Sequence, residues 1–379
     1  MMSAYNNLLI TFSLIYISAI NLRAQEIPAI KPQALTFEAS YIGEVASNFT
    51  GGISTGTRYL GLANIAAGFN MQNAGWWRGG EFRINAANTH GGEPSANLVG
   101  DFQGVSNIEA GNLTFLYELW YRQSMRNWSL TLGLQDLNAG FAASENGALF
   151  TNSSFGIHSS IADNIPSPIY PLTALGATVQ WSLPDRLSIQ AAIFDGTPDD
   201  FENNPYNMDW KLSRNDGYLA VMEIQFPKSL VNGLNGSYKF GGYYHQHNDT
   251  IDTEQTNYGF YFNGDQEIYR TRHGSVALFS QVGLSPKKEN NNNSYLSLGI
   301  HLTGISSKRT NDEAGLAIAH AGFSRTPWRN ETAMELTYRF HANENFSIKP
   351  DLQYIINPSG TDAKLKNALV GLLRVELGF

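Results

Sequence analysis

The stretch that most limits what this chain can become is its last, Asn367 to Phe379, with the sequence NALVGLLRVELGF. Leu369, Gly371, Leu373, Val375, Leu377 and Phe379 fall on one face at period two, and Arg374, Glu376 and Gly378 fall on the other. That is the period of a strand and not of a helix. In a soluble sandwich the apolar face would enter a core. In an outer-membrane barrel it would face lipid, and Arg374 and Glu376 would point into a watery lumen. The apolar face runs to the final residue, an aromatic, with no polar tail after it, and this favours the membrane wall.

The same pattern repeats upstream. Period-two matching gives about sixteen strand segments between residues 34 and 379, separated by clusters of Gly, Asn, Asp and Pro, and an even number is what a closed single-chain barrel needs. Connections alternate in length. Arg126-Asn127, Pro184-Asp185-Arg186 and Ala342 to Glu344 are tight, whereas Gly91 to Gly111, Ala139 to Tyr170 and Gly196 to Asp216 are long. Charged residues are 15% and aromatics 12%, against roughly 25% charged in an average soluble protein, which suits a wall facing lipid. Mean hydropathy of -0.25 and the lack of a mature run of ~20 apolar residues argue against membrane-spanning helices. Residues 1–24 read as a secretory signal peptide, with an apolar stretch from Leu8 to Ile20, and residues 25–379 as a single transmembrane antiparallel β-barrel domain. The absence of Cys excludes a disulfide scaffold and thiolate chemistry. A net charge of -8 argues against nucleic acid as a partner.

Two faces are readable in several segments. Met334, Leu336, Tyr338 and Phe340 oppose Glu331, Glu335, Arg339 and His341. Leu113, Phe115, Tyr117, Leu119 and Tyr121 are expected to oppose Glu118, Trp120 and Arg122, and Glu81, Arg83 and Asn85 to oppose Phe82 and Ile84. Charge of both signs therefore gathers on the face away from lipid. A soluble sandwich would also alternate, with its charges in water; the segment count, the terminal aromatic and the export signal together separate the two readings.

In order along the chain stand GDFQGVSN (Gly100 to Asn107), ELW (Glu118 to Trp120), LFTNSSFG (Leu149 to Gly156), PLTALG (Pro171 to Gly176), DGTP (Asp195 to Pro198) and YGFYFNGDQEIY (Tyr258 to Tyr269). With Glu331 to Tyr338 and the closing Asn367 to Phe379, this ordered set resembles the carbohydrate-selective porins of the OprB family over roughly Leu35 to Phe379. The resemblance implies a sixteen-stranded barrel in the bacterial outer membrane, exported through the periplasm, that passes glucose and related sugars by diffusion. It implies a mono- or oligosaccharide substrate, the lipid bilayer as surroundings, a monomer or homotrimer, and no cofactor. Phe379 is similar to the terminal aromatic through which the outer-membrane assembly machinery recognises such barrels.

A channel for neutral polyols needs donors and acceptors that replace hydration, and aromatic faces for pyranose rings. The expected pore-lining and sugar-contact residues are Glu81, Arg83, Glu118, Trp120, Arg122, Glu335, Arg339, Arg374 and Glu376. Each could instead serve as a lumenal salt bridge that stiffens the wall. Asn152, Ser153, Ser154 and Phe155 lie in a segment too long for a turn, and the expectation is that it folds inward as a constriction. Two alternate histidines in YYHQHND (Tyr243 to Asp249) are incomplete as a metal site, so no metal is expected. Trp76-Trp77 reads as an interfacial anchor. No H-E-x-x-H or P-loop is present, so the chain is expected not to be an enzyme. A general or ion-preferring diffusion porin and an outer-membrane barrel hydrolase, with dispersed candidates such as His158, Ser159 and Asp163, are the alternative readings.

Overall fold

The computed structural model describes residues 33–183, 186–231, 233–248, 253–324 and 330–379. The expected signal peptide, the first two residues of the turn expected at Pro184 to Arg186, and Asp249 lie outside the described residues. The strands are β1 (Leu35–Gly52), β2 (Gly56–Asn70), β3 (Gly80–Gly91), β4 (Leu113–Met125), β5 (Trp128–Gln135), β6 (Ala174–Leu183), β7 (Leu187–Asp195) and β8 (Tyr218–Pro227). They continue as β9 (Gly236–Asn248), β10 (Glu254–Arg270), β11 (Ser275–Leu284), β12 (Asn292–Thr303), β13 (Glu313–Phe323), β14 (Asn330–Asn343), β15 (Phe346–Ile356) and β16 (Lys366–Gly378). Each pairs antiparallel with its sequence neighbours, and β1 pairs with β16, so the sheet closes without an edge.

Closure lets neighbouring strands satisfy one another's backbone donors and acceptors inside the wall, the condition for crossing hydrocarbon. In the last strand Leu369, Leu373, Val375 and Leu377 face outward, while Arg374, at 3% exposed, faces inward opposite Glu44 of β1. The end of the chain completes the seam. Ala39 N donates to Phe379 O at 3.1 Å and Phe379 N donates to Ala39 O at 2.8 Å, leaving the Phe379 side chain 77% exposed on the outer surface. Deleting Phe379 is therefore expected to lower the amount of heat-resistant folded barrel in isolated membranes more than deleting an exposed loop residue such as Ala363 does. Gel mobility of heated and unheated samples reads this out, and equal folded fractions would refute it.

Two features depart from the simple alternation. The inward face is not polar throughout: Ala46, Leu60, Leu62, Ala87, Val370 and Leu372 turn small and medium apolar side chains inward near the rim. They pack against Leu98, Val99, Val105 and Ile108 of the β3–β4 connection, which enters the barrel. The second departure corrects a facing. Between β3 and β4 the register shifts at Asn85/Ala86, with Asn85 opposite Glu118 and Ala86 opposite Leu116, so Tyr117 is the extra residue of a bulge. Leu113, Phe115 and Tyr117 consequently point inward on the same side as Glu118, Trp120 and Arg122. The period-two reading had placed them toward lipid.

Among the described residues the longest connection, 136–173, lies inside the barrel against β7 to β13. Leu137, Phe141, Ala142, Ile157, Ile161 and Ile165 pack on Phe194, Leu219, Val221, Tyr243 and Tyr261, and Leu149, Phe150 and Phe155 pack on Phe279 and Tyr295. Burying one such aromatic or branched side chain contributes about 1.5–3 kcal/mol, so apolar contact along the whole segment holds it to the inner wall.

Candidate channel constriction

The two inward connections meet inside the barrel. Asn107 N donates to Thr151 O at 2.9 Å and Ser153 N donates to Gly104 O at 2.8 Å. Gly104 has φ +73°, and a Cβ there would approach Ser153 Oγ to 2.8 Å, so glycine is what permits this contact. The stretches in contact are GDFQGVSN and LFTNSSFG, two of the motifs singled out in the sequence.

Buried wall side chains hold both connections. Glu335, 1% exposed, accepts Thr151 N at 2.5 Å and Asn152 N at 2.9 Å. Glu331 accepts Phe102 N at 2.8 Å, Gln103 N at 2.9 Å and Ser359 N at 2.7 Å. Gln353 bridges the two, donating to Val105 O at 2.8 Å and accepting Asn152 Nδ2 at 3.2 Å. Lys349 Nζ donates to Leu149 O at 3.0 Å, Tyr295 Oη to Ser154 O at 2.6 Å, and Gln281 Nε2 to Phe155 O at 3.1 Å. Arg374 donates to Glu44 Oε2 at 2.6 Å and to Asn107 Oδ1 at 2.8 Å. Asn152 caps the short helix Ser153–Gly156, its side chain accepting Ser154 N. Asn152, Ser154 and Phe155 are buried, and Ser153 and Ser154 border a cavity.

Open space flanks this junction. A cavity of about 420 Å³ is bordered by Gln103, Asn107, Glu109, Asn138, Ser154 and Asp163 with the rings of Phe102, Tyr117 and Tyr170. On the side of the chain termini lie a cavity of about 440 Å³, bordered by Glu38, Arg83, Asn85 and Tyr117, and one of about 320 Å³, bordered by Glu118, Trp120, Arg122, Gln135, Asp136 and Gln190. All three fall in the range of roughly 300–1,000 Å³ that small-molecule sites occupy. Tyr117 borders the first and second and Asp136 borders the first and third. Tyr117 Oη donates to Asp136 Oδ2 at 2.5 Å, so one hydrogen-bonded pair touches all three cavities.

The outer chamber carries carboxyls and, among its described lining, no Lys or Arg. Enclosure within the barrel raises their pKa values. Burial pushes Asp136 to about 6 against the opposing hydrogen bond from Tyr117, and Glu109 to about 7 against its bonds from Ser95 and Ala96. Asp163 opens to the chamber's own solvent, yet protein surrounds it on all sides, and this lifts it to about 7.

The nine charged and aromatic residues expected to line the pore all face inward, but they fall into separate groups. Arg83 forms a two-point pair with Glu38 at 2.8 and 3.3 Å and approaches Glu118 to 3.8 Å. Trp120 Nε1 donates to Glu118 Oε1 at 3.2 Å, and the Arg122 guanidinium lies 4.8 Å from the Trp120 ring centroid. Glu81 stands opposite Arg122 in the β3–β4 register. Arg339 pairs with Glu313 at 3.1 Å and with Glu376 at 3.3 Å. Glu335 and Arg374 are committed to the two inward connections. Sequence reading missed Tyr117, Asp136, Tyr170, Glu109 and Gln103. For Gln103 and Glu109 the available signal was that both sit in a connection too long for a turn, the one that also carries GDFQGVSN. For Tyr117 there was none, because a bulge leaves no mark on a period-two pattern. His245 and His247 stack at 4.8 Å, and His245 Nε2 lies 2.7 Å from Gly196 O. Trp77 Nε1 donates to Tyr121 Oη at 3.0 Å at the termini end of the wall.

Comparison with known proteins adds the following. A family model described as "Carbohydrate-selective porin, OprB family" matches residues 54–379. Porin B of Pseudomonas aeruginosa is 22% identical, over 90% of this chain and 87% of that protein. Putative porin QuiX of Acinetobacter baylyi is 20% identical, over 92% and 90%. The high-pH structure of Pseudomonas putida OprB superposes with a TM-score of 0.81 at 21% identity, covering 91% of this chain and 94% of that one.

Proposed function

Because this chain belongs to the OprB family of carbohydrate-selective porins, and so is an outer-membrane channel for carbohydrates, we propose that sugar passes from the outer chamber, past the Tyr117–Asp136 pair, along the wall of Arg83, Glu118, Trp120 and Arg122. The observation that carries this reading is that one hydrogen-bonded pair borders three chambers of ligand size, and we read that pair as the partition between them. The path offers a hydroxyl what water offers it. Gln103, Asn107, Asn138 and Gln135 donate and accept without charge, Glu118 accepts, and Arg122 donates. Tyr117, Tyr170 and Trp120 present ring faces to the apolar side of a pyranose. Opposed charges keep the net charge of the wall small while the field between them orients the dipoles of a neutral solute. Binding must stay weak, since a channel that holds sugar tightly does not conduct it. We assign Asn152 to Phe155 to the constriction through the junction they form with the β3–β4 connection, and Glu335 and Arg374 to holding that junction. Among the described residues that border the path no Ser or Thr hydroxyl is hydrogen-bonded to a His, and we propose a diffusion channel without turnover.

Planar-bilayer recording tests this. Glucose titrated into salt is expected to reduce single-channel current in a saturable way, and Trp120→Ala to weaken that block several-fold with little change in conductance. Arg339→Ala, which leaves Glu313 and Glu376 without their cation, is expected to shift ion preference toward cations while sparing the block. A glucose-insensitive current in the unmodified channel would remove the sugar track and leave a general diffusion porin.

A further inference from the structure

β5 is short, and its end at Gln135 leaves the outer half of β4 without a partner on that side. The β7–β8 connection, 196–217, fills the place: Leu116 N donates to Tyr206 O at 3.0 Å, and Asn207 Nδ2 donates to Leu116 O at 3.2 Å. Asn207 is 2% exposed and sits at φ +50°, in the left-handed region that a side chain other than glycine enters at a cost. Its amide also donates to Thr173 Oγ1 at 3.0 Å, and Thr173 Oγ1 in turn donates to Tyr117 O at 2.6 Å. The loop around it is braced: Asn204 Oδ1 accepts Met208 N at 2.9 Å and Asp209 N at 3.1 Å, and Trp210 Nε1 donates to Asn207 O at 2.9 Å. Phe201 meets Phe115 ring to ring at 5.0 Å. Strain at a buried polar residue persists only where surrounding bonds over-determine it, and here those bonds converge on Leu116, beside the bulge, and through Thr173 on the bulged Tyr117 itself.

From this we propose that Asn207 is a positioning residue for the channel's size selection: through Leu116 and Thr173 it fixes the β4 bulge, and the bulge fixes where the Tyr117 ring stands against Asp136. The inference rests on the reading of Tyr117–Asp136 as the partition of the sugar path. The width of the constriction is then set from outside the lumen, by a residue no sugar touches. The bulge needs such a brace because Leu116 has no strand partner on that side: Tyr206 O takes its N–H and Asn207 Nδ2 serves its carbonyl, and without the amide the unpaired carbonyl would draw the backbone back toward regular pairing and turn Tyr117 off the path.

The test compares three variants by liposome swelling with a monosaccharide, glucose, and a trisaccharide, raffinose. Tyr117→Ala, which acts on the partition directly, is expected to raise the raffinose-to-glucose rate ratio several-fold. Asn207→Ala is expected to raise the same ratio in the same direction, with heat-modifiable barrel retained. Leu212→Ala, at an exposed position on the same loop, is expected to leave it unchanged. Asn207→Gly relieves the backbone strain but keeps none of the side-chain bonds, so it should behave as Asn207→Ala does. As the chain has no Cys, a Tyr117→Cys background adds a second readout: Asn207→Ala is expected to change the rate at which a small thiosulfonate labels that thiol, whereas Leu212→Ala leaves it alone. If Tyr117→Ala raises the ratio and Asn207→Ala alters neither ratio nor labelling, the positioning role is overturned and the partition stands. If Tyr117→Ala itself leaves the ratio unchanged, the reading of the partition falls, and the positioning proposal with it.

Discussion

Glu335→Ala is expected to raise single-channel conductance several-fold and to abolish saturable block by glucose. The Glu335 carboxylate is buried and accepts two successive backbone N–H groups at the inward junction, Thr151 and Asn152. Leaving a buried donor unpaired costs about 1–3 kcal/mol, and Glu335→Ala leaves two. The losses fall on Thr151, whose carbonyl accepts Asn107 N, and on Asn152, which precedes the Ser153 that donates to Gly104 O. The neighbouring anchors from Lys349, Tyr295 and Gln281 remain, so the variant is expected to flicker between narrow and wide levels. The double change Glu335→Ala/Phe155→Ala removes apolar packing on Phe279 as well and is expected to hold the wide level. Barrel closure should be untouched, because no β1–β16 bond is involved. Heat-modifiable migration with a wild-type conductance histogram would refute the anchoring role.

The second large effect is on pH. Ion preference is expected to swing from cation-selective at about pH 8 to nearly unselective at about pH 5, given carboxyl pKa values raised well above the ordinary value of about 4. The sign follows from the raised values. Asp136 at about 6 and Glu109 and Asp163 at about 7 carry charge only above those values and lose it as pH falls through them. The chamber's described lining holds no cation to offset them, and Arg374, which reaches Asn107 on that lining, is paired with Glu44. Reversal potentials in a potassium chloride gradient measure the swing, and Asp136→Asn/Glu109→Gln/Asp163→Asn should hold the channel at its low-pH preference throughout. An ion preference flat between the two pH values would place the selectivity filter elsewhere. Glucose flux is expected to change little across the range, since the solute is neutral.

How much of this could be read without coordinates differs element by element. The sixteen strands, the outward Leu369, Leu373, Val375 and Leu377, and the inward Arg374 and Glu376 follow from period-two alternation. A wall between lipid and water imposes that pattern on every strand it contains, so the pattern is local and legible. The family, and with it the class of solute, was legible from GDFQGVSN to the closing strand because those motifs keep their order along the chain.

Tertiary structure decided the rest. Ala46, Leu60, Val370 and Leu372 face inward because two connections enter the barrel and bring their own apolar side chains, and nothing in a strand's own sequence announces what will pack on it. Glu335 and Glu118 look alike in sequence, each a carboxylate on a lumenal face. One accepts two backbone donors from a segment about 180 residues away in the chain, and the other stays open to a cavity. Tyr117 was read onto the wrong face because one unpaired residue in β4 inverts every facing before it. The physical reason is common to all three: alternation records which medium a residue meets, whereas the constriction is made by long-range hydrogen bonds and by a register shift, which only the closed barrel brings together.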